Sequence, residues 1–178
     1  VYMTRNDNTS PNTDREQRAK FAAEKGANVL VSIHINSYGK GYTSAHGAEV
    51  YYPNSNYNST VSGQGQNLSA VILKQLTALG LADRGIKIRN SKDGETYPDG
   101  SLADYLGINK YAKLYGYPGI LIEHAYANNV SDAANYLTTD AQLQRLGVAD
   151  ATGIAQYFGL QKKKNVSLYG TVSYTHLT

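Results

Sequence analysis

The sequence predicts an α/β fold, a twisted and mostly parallel sheet flanked by helices. Three observations carry that expectation. Val29, Leu30, Val31, Ile33 and Ile35 make a dense aliphatic run over 27–35, rich in strand-forming residues as a buried strand is. A second run, Ile120-Leu121-Ile122, lies within 117–124. Between them Leu68, Val71, Ile72, Gln75, Leu76 and Leu79 recur at three- and four-residue steps, an amphipathic helix over 62–79 that Gly80 closes.

The remaining elements follow in order. Val1 to Thr4 reads as a short strand, and 5–13 as a polar loop. Thr13 or Asn12 caps a helix to about Lys25, with Glu16 three residues after Thr13 as in a capping box, and Gly26 stops it. With the strand at 27–35 this spacing suggests a βαβ unit. Residues 37–47 form a Gly/Ser/Thr/Tyr-rich loop. Ala48 to Tyr52 is a strand ended by Pro53, and 54–60 is a loop. Arg84 to Ile88 is a short basic strand, and the Asp-Gly and Tyr-Pro pairs of 90–100 mark a surface insertion. Leu102 to Ile108 contributes a further strand, followed by a short helix or turn over 109–114. The strand at 117–124 leads through a polar loop at 128–132 into a short helix. Asp140 caps a last helix with a buried stripe of Leu143, Leu146, Ala149, Ile154 and Phe158. One domain spans 1–159, and 160–178 reads as a linker or the start of a further segment.

Composition narrows the function. A chain of 178 residues, 41% hydrophobic, can bury an ordinary single-domain core. Its net charge of +3 is too mild for a nucleic-acid binder without an arginine-rich patch or an aromatic RNA motif. No stretch reaches the roughly 18 apolar residues of a membrane-crossing helix. The absence of cysteine excludes disulfides, thiolate zinc sites and thiol nucleophiles, and is compatible with an exported bacterial protein.

The chemically interesting groups stand at strand ends. His34 and Asn36 end the first aliphatic run, and Glu123 follows the second, so parallel strands would bring them to one rim, where open α/β sheets place their ligands. Each has an ordinary reading as well: an edge histidine, a turn asparagine, and a glutamate ion-paired with Arg5, Arg15 or Arg84. A catalytic zinc normally takes three protein ligands. His46 reads as an exposed loop histidine, and His124 points to the sheet face opposite Glu123 if the strand persists. His176 lies in the tail. Arg84 and Lys87 either meet an anionic substrate or are solvated. Ser32, Ser62 and Ser101 lack a nucleophile-elbow context, and Gly63-Gln64-Gly65 is no phosphate loop.

Taken in order, several segments resemble the zinc-dependent N-acetylmuramoyl-L-alanine amidases of bacterial and phage cell-wall lysis. They are Val1-Tyr2-Met3-Thr4-Arg5-Asn6-Asp7, Arg15 with its alanine-rich helix, Val31-Ser32-Ile33-His34-Ile35-Asn36, and Gly47-Ala48-Glu49-Val50-Tyr51-Tyr52. The helix near Leu68, Arg84-Gly85-Ile86-Lys87, Pro118-Gly119-Ile120-Leu121-Ile122-Glu123-His124-Ala125 and Asn129 complete the set, which covers about residues 1–159. The resemblance implies an amidase- or zinc-exopeptidase-like sheet and one Zn²⁺ held by a histidine, a glutamate and a second histidine. His34 resembles that second histidine and Glu123 the catalytic glutamate. The family's first two ligands precede the Thr-Arg-x-x-Asp segment, and neither His46 nor Glu49 stands at their positions. The first strand region and half of the metal site are therefore expected to be missing, with weak zinc binding and little activity for this chain.

The implied reaction is hydrolysis of the amide between N-acetylmuramic acid and L-alanine in peptidoglycan. Glu123 serves as general base and then acid, and Asn36 and Arg84 as substrate-binding or site-supporting residues. The resemblance further implies a monomer acting outside the cell or in the cell wall, or phage-encoded. A non-catalytic wall-binding or degenerate module is the alternative, and a carboxypeptidase-like zinc hydrolase a more distant one.

Overall fold

The computed structural model describes residues 1–7 and 9–160. The expected linker or further segment, and His176 with it, fall from residue 161 onward, outside the described residues. The elements run α1 (Arg15–Glu24), β1 (Leu30–Asn36), β2 (Ala48–Tyr51), α2 (Ser59–Ala78), β3 (Asp83–Lys87), α3 (Gly107–Leu114), β4 (Gly119–Tyr126), a single turn α4 (Val130–Asp132) widening into a π-helical turn over Ala133–Leu137, and α5 (Asp140–Tyr157).

The four strands pair in the order β1-β4-β2-β3. Leu30 N donates to Pro118 O and Ala127 N to Asn36 O, so β1 and β4 run parallel. Ala48 N donates to Ala82 O and Tyr52 N to Lys87 O, which makes β2 and β3 parallel as well. The joint between these pairs is antiparallel. Asp132 holds the amides of Gly47 and Tyr126 together, while the Asn109 amide bridges the carbonyls of Tyr51 and Gly119. The sheet is thus mostly parallel, as expected, with one reversal at its centre.

Several local expectations change. Val1 to Thr4 forms no strand: its backbone has no ladder partner among the described residues, and Val1, Tyr2 and Met3 are exposed. Helix α1 is capped by Asp14, whose carboxylate accepts from Gln17 N, so the box from Thr13 to Glu16 does not form. Thr139, not Asp140, caps α5, in a reciprocal capping box with Gln142. Residues 102–108 form no strand either, only the isolated bridges Thr96 with Leu102 and Asn90 with Asp104, because Asp104 is drawn inward by a buried lysine.

The chain divides into two compact units. The first comprises 1–32, 51–69 and 86–121. Its apolar cluster sets Ala19 and Ala22 of α1 with Leu30, Ile108 and Ala112 of α3, and Tyr117. Gly119 is required here, since any Cβ would run into the Ile108 carbonyl and the Ala112 methyl. Beside this cluster lies a polar lock. Lys113, fully buried on α3, holds Nζ within 3.0 Å of the Asp104 carboxylate, of both the Asn54 backbone and side-chain oxygens, and of Asn56 O. The Tyr97 hydroxyl donates to Asp104 Oδ2 at 2.6 Å and Asn54 N to Oδ1 at 2.8 Å. Burial pushes the Lys113 ammonium below its ordinary range, against the pull of Asp104. The second unit comprises 33–50, 70–85 and 122–160 of the described chain. Its α5 buries Leu146, Ala149, Asp150 and Gly153, and Gly153 sits so close to the backbone of Ile72 on α2 that a side chain would not fit.

Removing the charge from the buried lysine leaves Asp104 without its cation. The variant K113M is expected to lose about 3–5 kcal/mol of stability in urea unfolding. The double variant K113M/D104N should recover part of that loss, because no buried carboxylate is then stranded.

Candidate active site

The candidate residues lie in the second unit, in the C-terminal halves of β1 and β4. In β1, His34 and Asn36 are two residues apart and share one face of the strand. In β4 the alternation puts Glu123 on one face and His124 on the other. Every other residue of β4 is buried, and Glu123 alone is half-buried.

His124 explains why this rim holds its shape. The imidazole is fully buried, with Nε2 2.8 Å from Asp150 Oδ2 on α5 and Nδ1 3.2 Å from the carbonyl oxygen of His34. Both partners offer acceptor oxygens, an arrangement that favours a proton on each ring nitrogen. Burial pulls the proton affinity of His124 down, but the Asp150 carboxylate and the His34 carbonyl outweigh it and leave the pKa raised. The contact fixes the backbone of His34 from beneath. As the alternation in β4 predicts, the His124 side chain serves structure on the face away from Glu123.

Glu123 is the opposite case. Its Oε2 is buried and has no hydrogen-bond partner among the described residues. Burial raises its pKa to about 7; the nearby charge of Glu49 adds to the shift and that of His124 opposes it. A carboxyl with this affinity exchanges a proton readily near neutrality.

Glu49, which the sequence reading did not single out as a site residue, is a hub. It is 4% exposed, accepts from Asn36 Nδ2 at 3.1 Å through Oε1, and meets Arg84 Nε at 3.0 Å through Oε2. Arg84 in turn stacks its guanidinium over the Tyr126 ring, 5.0 Å from the centroid. Asn36 and Arg84 are therefore joined through one buried carboxylate. The available signal was an acid embedded in a short apolar strand, Ala48-Glu49-Val50.

Asparagines secure the loops around the rim. Asn128 Nδ2 donates to the carbonyls of Tyr38 and Gly41 at 2.9 and 2.7 Å, and Asn129 Nδ2 to Thr43 O at 3.0 Å. His46 sits on that loop, exposed, with Nδ1 3.0 Å from Ser44 O. Among the described residues no three His, Asp or Glu side chains form a cluster able to hold a metal ion. The donors present do not fit a three-ligand zinc site.

The model of the N-acetylmuramoyl-L-alanine amidase family matches residues 1–156. The chain belongs to this family. Solved structures agree with the assignment. The amidase-family chain is similar to Cwp6 from Clostridium difficile, at 26% identity and a TM-score of 0.67 over 85% of this chain and 21% of that one. It is also similar to the catalytic domain of CwlV, an N-acetylmuramoyl-L-alanine amidase from Bacillus (Paenibacillus) polymyxa var. colistinus. There the identity is 27% and the TM-score 0.60, over 84% of this chain and 68% of that one. The fold is shared with apo Ami1 from Mycobacterium abscessus, at 23% identity and a TM-score of 0.65, over 88% of this chain and 66% of that one. The chain thus spans about a fifth of Cwp6 and two thirds of the other two. No curated protein sequence matches it. No described helix is long and apolar enough to cross a membrane.

The raised affinity of Glu123 makes a stability prediction with a definite sign. The folded protein holds this proton more tightly than the unfolded chain does. The resulting stabilisation is complete below the unfolded value of 4.5 and is lost as pH rises through about 7. Urea melts of the parent and E123Q should therefore diverge across that window. The parent should lose about 2–3 kcal/mol more than the variant between pH 4.5 and pH 8. Parallel pH profiles would contradict it.

Proposed function

We propose that this amidase-family chain acts in hydrolysis of the amide between N-acetylmuramic acid and L-alanine of peptidoglycan, with Glu123 as the proton-transfer group. The observation that carries the reading is the Glu123 carboxyl, with its raised proton affinity and a buried oxygen lacking a partner among the described residues. An unsatisfied buried carboxylate oxygen is costly in a purely structural role. A proton donor or acceptor poised near neutral pH is what amide hydrolysis requires.

Ionised Glu123 takes a proton from the attacking water as its oxygen adds to the amide carbon. The protonated carboxyl then returns that proton to the departing L-alanine nitrogen as the carbon–nitrogen bond breaks. One water is consumed, and a lactyl carboxyl and a free amine are formed. Half-burial of Glu123 limits competing solvent and strengthens its interaction with the developing charges. Asn36 and Arg84, linked through Glu49, support the site beside it.

His34 is the proposed zinc ligand, carried over from the family resemblance. One imidazole does not hold a catalytic zinc, and the described residues supply no three-donor cluster, so the steps above use only Glu123. Residues 1–159 are proposed as one amidase-like domain, and peptidoglycan as the partner of a monomer acting outside the cell or at the wall. That same lack of a three-donor cluster favours, as a second reading, a non-catalytic or degenerate module that binds the wall without cleaving it.

Release of L-alanine amino termini from purified peptidoglycan, measured with added zinc, separates the two readings. The amidase reading expects release by the parent chain and a fall of about 10²–10⁴-fold in E123Q. Sedimentation with sacculi in the absence of any release would favour the binding module. Undiminished release by E123Q would remove Glu123 from the mechanism.

A further inference from the structure

Two Asp-Gly pairs, Asp93-Gly94 and Asp99-Gly100, lie on the insertion between β3 and α3. All four residues are exposed, and both glycines are left-handed, with φ of +74° and +82°. A glycine after an aspartate leaves the side-chain carbon of the acid open to the next main-chain nitrogen, because no Cβ shields the approach. Dipeptide, exposure and glycine conformation are thus the same at both pairs. Their hydrogen bonds are not.

The second pair is held on both reacting groups. Asp99 Oδ1 accepts from Ser101 N at 3.0 Å and from Ser101 Oγ at 2.6 Å, while Gly100 N donates to Tyr97 O at 2.9 Å. Tyr97, itself buried, donates its N–H to Ser101 O at 2.8 Å and closes the turn. Bringing Gly100 N onto the Asp99 side-chain carbon would break this set of bonds. The Ser101 bonds also hold the Asp99 carboxyl below its ordinary range, away from the protonated form that loses water. At the first pair, neither the Asp93 carboxyl nor Gly94 N has a hydrogen-bond partner among the described residues. Only its flanks are tied, Ser91 N to Ala103 O and Glu95 O to Ala103 N, each at 2.8 Å.

We propose that Asp93-Gly94 is a self-modification site that forms isoaspartate, a reaction the fold suppresses at Asp99-Gly100. Gly94 N attacks Asp93 Cγ, the amide proton and the carboxyl hydroxyl leave as water, and a five-membered succinimide closes. Water then adds to the main-chain carbonyl carbon of Asp93, and the bond from that carbon to Gly94 N breaks. The main chain now runs through Asp93 Cβ, and the former main-chain carbonyl becomes a free carboxylate. One water leaves and one returns, so the step needs neither oxidant nor reductant.

The test ages the 178-residue chain in warm, mildly acidic buffer made with ¹⁸O-labelled water. Cleavage after Arg89 and Glu95 places the two pairs on separate peptides, and electron-transfer fragmentation distinguishes isoaspartate from aspartate. Isoaspartate carrying heavy oxygen should accumulate at 93 at least about tenfold faster than at 99. The gap should close in urea, where the bonds around Asp99 are gone. S101A should speed the reaction at 99 and leave 93 at its parent rate. G94A should slow the reaction at 93, and its far-UV spectrum reports whether the variant is folded. Equal rates in the folded chain, a faster reaction at 99, or a gap that persists unchanged in urea would overturn the proposal. So would isoaspartate at 93 without the heavy oxygen that succinimide hydrolysis introduces.

Discussion

A buried imidazole between a carboxylate and a main-chain carbonyl sets the geometry of the second unit. His124 belongs to β4, its carboxylate partner Asp150 to α5 and its carbonyl partner His34 to β1. Three elements distant in sequence meet at one ring. Removing either side chain would leave the other's polar group buried without this partner, a penalty of several kcal/mol. The same contact ties the backbone of His34 to the strand that presents Glu123 on its other face. The two-residue repeat of a β-strand keeps the buried His124 and the half-buried Glu123 on opposite faces.

Glu49 and Glu123 have contrasting surroundings. Glu49 is fully engaged, by the Asn36 amide on one oxygen and the Arg84 guanidinium on the other. Glu123 has a buried oxygen with nothing to satisfy it and a proton affinity raised by burial and by the charge of Glu49. Glu49 also adds to the field that Glu123 experiences.

The aliphatic runs made β1 and β4 legible, because branched or long apolar residues this dense, over 29–35 and 120–122, have few other solutions. Asn36 does end β1, whereas His34 lies within it and β4 runs on past Glu123 to Tyr126, so the strand end expected at Glu123 falls three residues later. The short strand expected at Val1–Thr4 failed because strand propensity alone supplies no neighbour to pair with. The one expected at 102–108 failed because Asp104 turns in to Lys113, a partner nine residues along that no periodicity announces. The caps of α1 and α5 moved by a residue or two, between adjacent polar side chains that are all chemically able to cap. Glu49 and Asp150 stayed hidden for a different reason. Each is an acid in an otherwise apolar stretch, and its partners, Asn36 and Arg84 for one and His124 for the other, are chosen by the tertiary fold.

The His124–Asp150 pair, with the His34 carbonyl, holds the C-terminal parts of β1 and β4 together. Native-state hydrogen exchange on D150N tests it most directly, read at the Ala127 amide, which closes the β1–β4 ladder onto Asn36 O. A cost of about 3 kcal/mol corresponds to a loss of protection of about 10²-fold at that amide. Ala127 exchanging in D150N at its parent rate would contradict the account.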